Sequence, residues 1–101
     1  TPVFRPLPKH PAVTRDLALV MDMGVPAADV AEAIRTAAGS VLESLALFDV
    51  YTGEKVGEGK KSLAYNLVLR APDRTLTDEE AEATVAKVLS ALEKMGVALR
   101  S

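Results

Sequence analysis

The chain has 101 residues, of which 49% are apolar and 26% are charged, a composition typical of one globular domain with its own core. The absence of cysteine excludes disulfides and thiolate metal sites, and a formal net charge of -2 argues against a protein that binds polyanions by bulk charge. No apolar run approaches the roughly 20 residues of a membrane-spanning helix, so a cytoplasmic location is expected.

Residues 1–12 are predicted to form an N-terminal arm or linker, and residues 13–101 the folded domain. Each proline of the arm fixes φ and removes a backbone donor, which disfavours both a strand and a helix. Four prolines fall within it: Pro2, Pro6, Pro8 and Pro11.

The first half of the domain alternates between strand and helix patterns. Thr14 to Met23 changes between apolar and polar residues with period two, which predicts a strand. Pro26 opens a predicted helix that runs to about Ala38 and ends at Gly39. Val41 to Tyr51 alternates again and predicts a second strand. One face of this strand is predicted to carry Ala46, Phe48 and Val50, and the other Leu47, Asp49 and Tyr51.

The second half repeats the arrangement. The glycine-rich segment Thr52 to Lys60 predicts a hairpin connection, and Lys61 to Arg70 predicts the third strand. Thr77, followed three residues later by Glu80, is a capping box and predicts the start of a second helix. Val97 to Arg100 is predicted to return as a short last strand.

The order strand, helix, strand, strand, helix, strand predicts an α+β domain of ferredoxin-like βαββαβ topology. Two helices should then cover one face of a four-stranded antiparallel sheet and leave the other face open. This fold serves many unrelated functions, so the function must be argued from a site.

The open face of the sheet is the candidate site, because it should carry the less apolar side chains of every strand. A flat surface of small side chains with one tyrosine and several hydrogen-bonding groups suits unstacked nucleobases. The structural alternative is a solvated sheet face without a ligand. The predicted row consists of Asp16, Ala18, Val20, Asp49, Tyr51, Ser62, Ala64, Asn66 and Arg70.

Five cationic side chains are predicted to gather at the rim of the open face, where they would meet phosphates. Each of them, taken singly, is better explained as a solvated surface charge. They are Lys55, Lys60, Lys61, Arg70 and Arg74.

The sequence contains no pattern that predicts a catalytic residue or a metal ligand. The glycines before Lys60 do not form a phosphate-binding loop, because Glu54 stands where that loop needs glycine and Lys61 where it needs serine or threonine. His10 is the only histidine and has no neighbouring ligand residue.

Four segments resemble the ferredoxin-fold anticodon-binding domain. They are Lys9 to Val20, Leu47 to Tyr51, Gly57 to Ala64 and Asp73 to Glu80. They occur in the order of that family and span almost the whole chain, which makes the resemblance specific. It implies the C-terminal domain of the beta subunit of a bacterial phenylalanine-tRNA ligase. A single-chain organellar ligase ends in a similar domain and stays open as the parent.

The resemblance implies an RNA-binding module that holds the anticodon of the phenylalanine-accepting tRNA while aminoacylation occurs elsewhere. Its partners would be that tRNA, the alpha subunit and the remaining domains of the beta chain. ATP and magnesium would serve the parent enzyme, and no cofactor is expected in this domain.

Strand parity then suggests a role for each residue of the open face. Tyr51 is predicted to stack on an anticodon base or to hydrogen-bond to it, and Ala18 and Ala64 to let a base approach closely. Ser62 and Asn66 are predicted to read base edges. Asp16 and Asp49 are predicted either to accept from base amino groups or to order Arg15 and Arg70.

Two further interpretations remain compatible with the sequence. An acylphosphatase-like enzyme of the same fold would use an arginine and an asparagine to hold a phosphate, with Arg15 and Asn66 as candidates. A small-molecule or protein-interaction module would use the open face to bind a ligand or to dimerise.

Overall fold

A computed structural model describes residues 11–53, 56–71 and 73–100. Most of the predicted N-terminal arm, residues 1–10, lies outside them, and the domain boundary stays a prediction. The elements in chain order are β1 (Val13–Asp22), α1 (Ala27–Ala38), a 3-10 turn (Gly39–Val41), β2 (Leu42–Thr52), β3 (Lys60–Leu69), α2 (Asp78–Glu93) and β4 (Ala98–Leu99).

The four strands form one antiparallel sheet in the order β2-β3-β1-β4, so β1 and β3 are central and β2 and β4 are the edges. Alternate residues of β1 and β3 are buried beneath both helices and form the core with the apolar faces of the helices. The strands contribute Leu19, Leu63 and Leu67 to this core, and the helices contribute Ile34 and Val88. The predicted ferredoxin-like fold is confirmed. Neither helix in the described ranges has the length and apolar character needed to cross a bilayer.

The end of α1 and the start of α2 lie where local chemistry predicts. Gly39 ends α1 with a φ of 71°, a left-handed conformation that glycine adopts without the steric cost of a Cβ. At the start of α2 the Glu80 N–H donates to the Thr77 hydroxyl at 3.1 Å, and the Thr77 N–H donates to the Glu80 carboxylate at 3.3 Å. Both hydrogen bonds of the predicted capping box are therefore present.

The register between β1 and β3 fixes which residues share a face. Asp16 lies opposite Asn66, and Ala18 lies opposite Ala64, on the side of the sheet away from the helices. Arg15 belongs to the helix-facing row, where it pairs with Glu82 at 3.1 Å. The prediction that an aspartate of the open face orders Arg15 is therefore wrong, because acidic residues of α2 hold the guanidinium on the opposite side.

Strand β2 departs from strict alternation at two register shifts, between Leu42 and Ser44 and between Leu47 and Asp49. An extra residue at a β-bulge reverses the parity of the residues after it. The predicted grouping of Ala46 with Val50 is therefore wrong. Ala46 lies opposite Asn66 in the open row, whereas Val50 lies opposite Leu63 in the helix-facing row; Asp49 and Tyr51 face the open side, opposite Ala64 and Ser62.

Candidate nucleic-acid interface

Small side chains form the floor of the open face at its centre. Ala18 and Ala64 lie opposite each other, and Ser62 lies next along β3, opposite Val20. Ser62 is 0% exposed and Ala64 6% exposed, although neither faces the helices. The Ser62 hydroxyl is therefore not accessible in this conformation, and its contact with a base stays a prediction.

Tyr51 and Arg100 approach this floor from opposite edges of the sheet. Tyr51 lies on β2 directly opposite Ser62. Arg100 follows β4, and its N–H donates to the Ala18 carbonyl at 2.7 Å, which fixes this residue beside β1. The guanidinium carbon of Arg100 then lies 5.6 Å from the centroid of the Tyr51 ring, a cation–π distance. The centre of the face is thus a small recess closed by an arginine and a tyrosine.

The Ser62 hydroxyl in this recess has no hydrogen-bond partner in the described part of the chain. A buried hydroxyl without a partner costs roughly 1–3 kcal/mol relative to a satisfied one. A ligand that entered between the tyrosine and the arginine with a polar edge could supply the missing partner. The recess therefore carries a polar group that the closed conformation leaves unused.

Asp49 adjusts the chemistry of Tyr51. Its carboxylate accepts from the Val50 N–H at 2.9 Å. A hydrogen bond from the Tyr51 hydroxyl to this carboxylate, reinforced by its negative charge, raises the pKa of Tyr51, while the charge of Arg100 acts in the opposite direction. The tyrosine therefore keeps its proton to a higher pH than usual.

Asp16 and Asn66 form a second polar feature on the same face. The Asn66 amide donates to an Asp16 carboxylate oxygen at 2.8 Å across the β1–β3 pair. The structure thus brings together two predicted residues that are far apart in the sequence.

The predicted ring of cations is only partly present. Lys60 lies opposite Asp22 in the open row and forms an ion pair with it. Lys61 lies opposite Met21, a core residue, so its row faces the helices and not the open side. A phosphate near Lys60 would have to compete with the aspartate.

Two other predicted cations of the ring also carry acidic partners, and Lys55 lies outside the described residues. The positive charge of both is therefore balanced locally, and Arg74, which pairs with a residue of α2, lies on the helix side of the domain and not at the predicted rim of the open face. The pairs are Arg70 with Glu43 at 3.2 Å, and Arg74 with Asp73 at 3.2 Å and with Glu80.

Arg100 is the functional candidate that sequence reasoning missed. Parity within the short strand β4 could have found it, because Ala98 pairs with Val20 in the open row and Arg100 lies two residues further along. Its approach to Tyr51 could not have been found in this way, since it depends on side chains that cross two intervening strands.

An antiparallel sheet with helices on one side, and on the other a recess of small residues between tyrosine and arginine, defines a ferredoxin-like domain suited to binding a flat polar ring. A comparison with known protein families matches residues 8–100 to the ferredoxin-fold anticodon binding domain. The chain belongs to this family.

Curated relatives agree with this assignment. The chain is 56% identical over 99 residues to the phenylalanine-tRNA ligase beta subunit of Symbiobacterium thermophilum, covering 98% of this chain and 11% of the relative. It is 54% identical over 100 residues to that of Moorella thermoacetica, covering 98% and 12%. It is 59% identical over 92 residues to that of Streptomyces avermitilis, covering 90% and 11%. The chain thus spans about one ninth of the length of these relatives.

Proposed function

We propose that this domain holds the anticodon of the phenylalanine-accepting tRNA within a phenylalanine-tRNA ligase. Membership of the anticodon-binding family and the names of the relatives support this function. The aminoacylation reaction, with its ATP and magnesium, belongs to another part of the enzyme. The partners are the tRNA, the alpha subunit and the remaining domains of the beta subunit, in the cytoplasm.

The observation that carries the mechanism is the contact between Arg100 and Tyr51 above a buried hydroxyl. A base that enters between the two side chains exchanges one cation–π contact, worth about 0.5–1 kcal/mol at an exposed site, for a stack on each of its faces. Stacking on an aromatic ring is worth about 1–3 kcal/mol. Insertion is therefore favourable even though it separates the arginine from the tyrosine.

The floor of the recess complements the edge of such a base. The side chains of Ala18 and Ala64 are short, so the base can approach the backbone of the sheet closely. Ser62 then gains the partner that it lacks, and Asp49 accepts from an amino or imino group. Each of these interactions requires an unpaired base, as the loop of an anticodon stem-loop provides.

Titration of anticodon stem-loops against the domain tests this function. The stem-loop with the phenylalanine anticodon should bind more tightly than one with the same stem and a different anticodon, and Tyr51→Ala should reduce the preferred binding roughly 5- to 150-fold. Tyr51→Phe, which keeps the ring, is the matched control and should lose less. Equal affinity for all anticodons, or unchanged binding by Tyr51→Ala, would contradict the proposal.

A further inference from the structure

The Asp16–Asn66 pair indicates a second site. Asp16, Asn66 and Ala46 lie side by side across β1, β3 and β2 on the open face. The Asn66 amide group donates to Asp16 at 2.8 Å, which fixes the amide orientation, since the reverse orientation would set a carbonyl against a carboxylate. The Asn66 carbonyl oxygen and the second Asp16 oxygen remain as two acceptors, and Ala46 leaves room beside them.

The negative charge of Asp16 is the feature that needs an explanation. A carboxylate on a face that binds RNA repels phosphates. On the same face the charge of Asp22 is balanced by Lys60, and Asp49 accepts from a backbone N–H and from Tyr51. The contact of Asp16 is with a neutral amide. A carboxylate in this position assists RNA binding only if it accepts hydrogen bonds from a base.

The distance from the recess fits the next nucleotide. Asn66 lies two residues beyond Ala64 along β3, a rise of roughly 6.7 Å. This is about twice the 3.4 Å that separates neighbouring bases in a stacked strand, so the two bases must be unstacked to reach both places. Two neighbouring bases that are splayed out of a loop can therefore reach the recess and the Asp16–Asn66 pair at the same time.

We propose that Asp16 and Asn66 form a second nucleotide subsite that accepts hydrogen bonds from the exocyclic amino group of the base next to the one held by Tyr51. This inference rests on the proposed function. It assigns the pair a preference for bases that carry an amino group over bases that present only acceptors at that edge.

The variant Asp16→Asn separates this role from a merely structural one, because the two roles predict opposite signs. It keeps an acceptor for the Asn66 amide, so the sheet should stay intact, and thermal unfolding checks this. If the pair only joins two strands, removal of a negative charge should leave RNA affinity unchanged or increase it slightly. If the pair binds an amino group, affinity should fall about tenfold, because a hydrogen bond to a charged acceptor is lost.

Glu93→Gln is the matched control, since it removes the same charge at the exposed end of α2. A second arm uses the unaltered domain and stem-loops in which the amino group of each neighbouring base is replaced in turn by hydrogen. At one of these positions the replacement should cost about tenfold, and Asp16→Asn should add no further loss there.

Equal binding of all amino-deleted RNAs, or an Asp16→Asn variant that binds as well as Glu93→Gln, would overturn the inference. If Tyr51→Ala still weakens binding in that case, the proposed function stands without the second subsite. If the unaltered domain shows no anticodon preference, both fall together.

Discussion

The guanidinium of Arg100 lies 5.6 Å from the Tyr51 ring centroid, although the two residues come from opposite edges of a four-stranded sheet. Both side chains reach over the central strands, whose open row carries Ser62, Ala64 and Ala18 at this level. This relationship converts an open sheet face into a recess with a planar cation on one side and an aromatic ring on the other.

Replacement of Arg100 tests whether its planar shape or its charge matters. Arg100→Lys keeps the charge but loses the flat guanidinium that can stack on a base, so we expect weaker stem-loop binding with an unchanged salt slope. Arg100→Ala should lose affinity and also reduce the slope. Lys94→Ala removes a charge on the helix side and is the control for both variants. Full retention of affinity by Arg100→Lys would show that stacking of the Arg100 guanidinium on a base contributes nothing to binding.

Ser62→Ala should affect folding and binding in opposite directions. The hydroxyl is buried without a partner, so its removal should leave the free energy of unfolding unchanged or raise it by about 1 kcal/mol. RNA binding should nevertheless weaken, because the base loses a hydrogen bond. Chemical denaturation and stem-loop titration measure the two quantities. A variant that is less stable and binds normally would show that Ser62 has a structural role only.

Asp49→Asn should lower the pKa of Tyr51. The carboxylate raises this pKa through a hydrogen bond and through its charge, and the variant removes the charge. Tyr65 would obscure the result, because burial raises its pKa as well, so the titration is best done with Tyr65→Phe in both proteins. The ultraviolet absorbance of tyrosinate follows Tyr51 directly. An unchanged titration curve would mean that Asp49 does not contact the hydroxyl in solution.

Glu80 should make the free energy of unfolding of the domain depend on pH in the acidic range. Its hydrogen bond with Arg74, and the backbone hydrogen bond from Thr77, lower the pKa of this carboxyl in the folded state. A lowered folded pKa gives stability that is present above the unfolded pKa and is lost as the pH falls through the folded pKa. Glu80→Gln should therefore weaken the pH dependence of the thermal unfolding temperature in that acidic interval, whereas Glu93→Gln should not. Parallel pH profiles for Glu80→Gln and the unaltered domain would contradict this.

The sequence predicted those parts of the fold that depend on local chemistry. The capping box at Thr77 and the glycine that ends α1 act within a few residues, so pattern analysis located both. Parity also placed Asp16, Asn66 and Tyr51 on the open face.

Other features depend on contacts between distant segments and could not be predicted. The shift between Leu47 and Asp49 results from pairing with β3, and no residue type in β2 signals it. The position of Arg100 over the Tyr51 ring depends on the pairing of β4 with β1 and on the hydrogen bond from Arg100 to Ala18. The alternation within each strand predicts the open face but not the contact between Arg100 and Tyr51 across it.

The most direct test of the account is nuclear magnetic resonance of the domain bound to the phenylalanine anticodon stem-loop. Insertion of a base between Tyr51 and Arg100 predicts intermolecular nuclear Overhauser effects from one anticodon base to the Tyr51 ring protons and to the Ala64 methyl group. Contacts from the RNA to the helix face alone, with the Tyr51 and Ala64 signals unchanged, would contradict it.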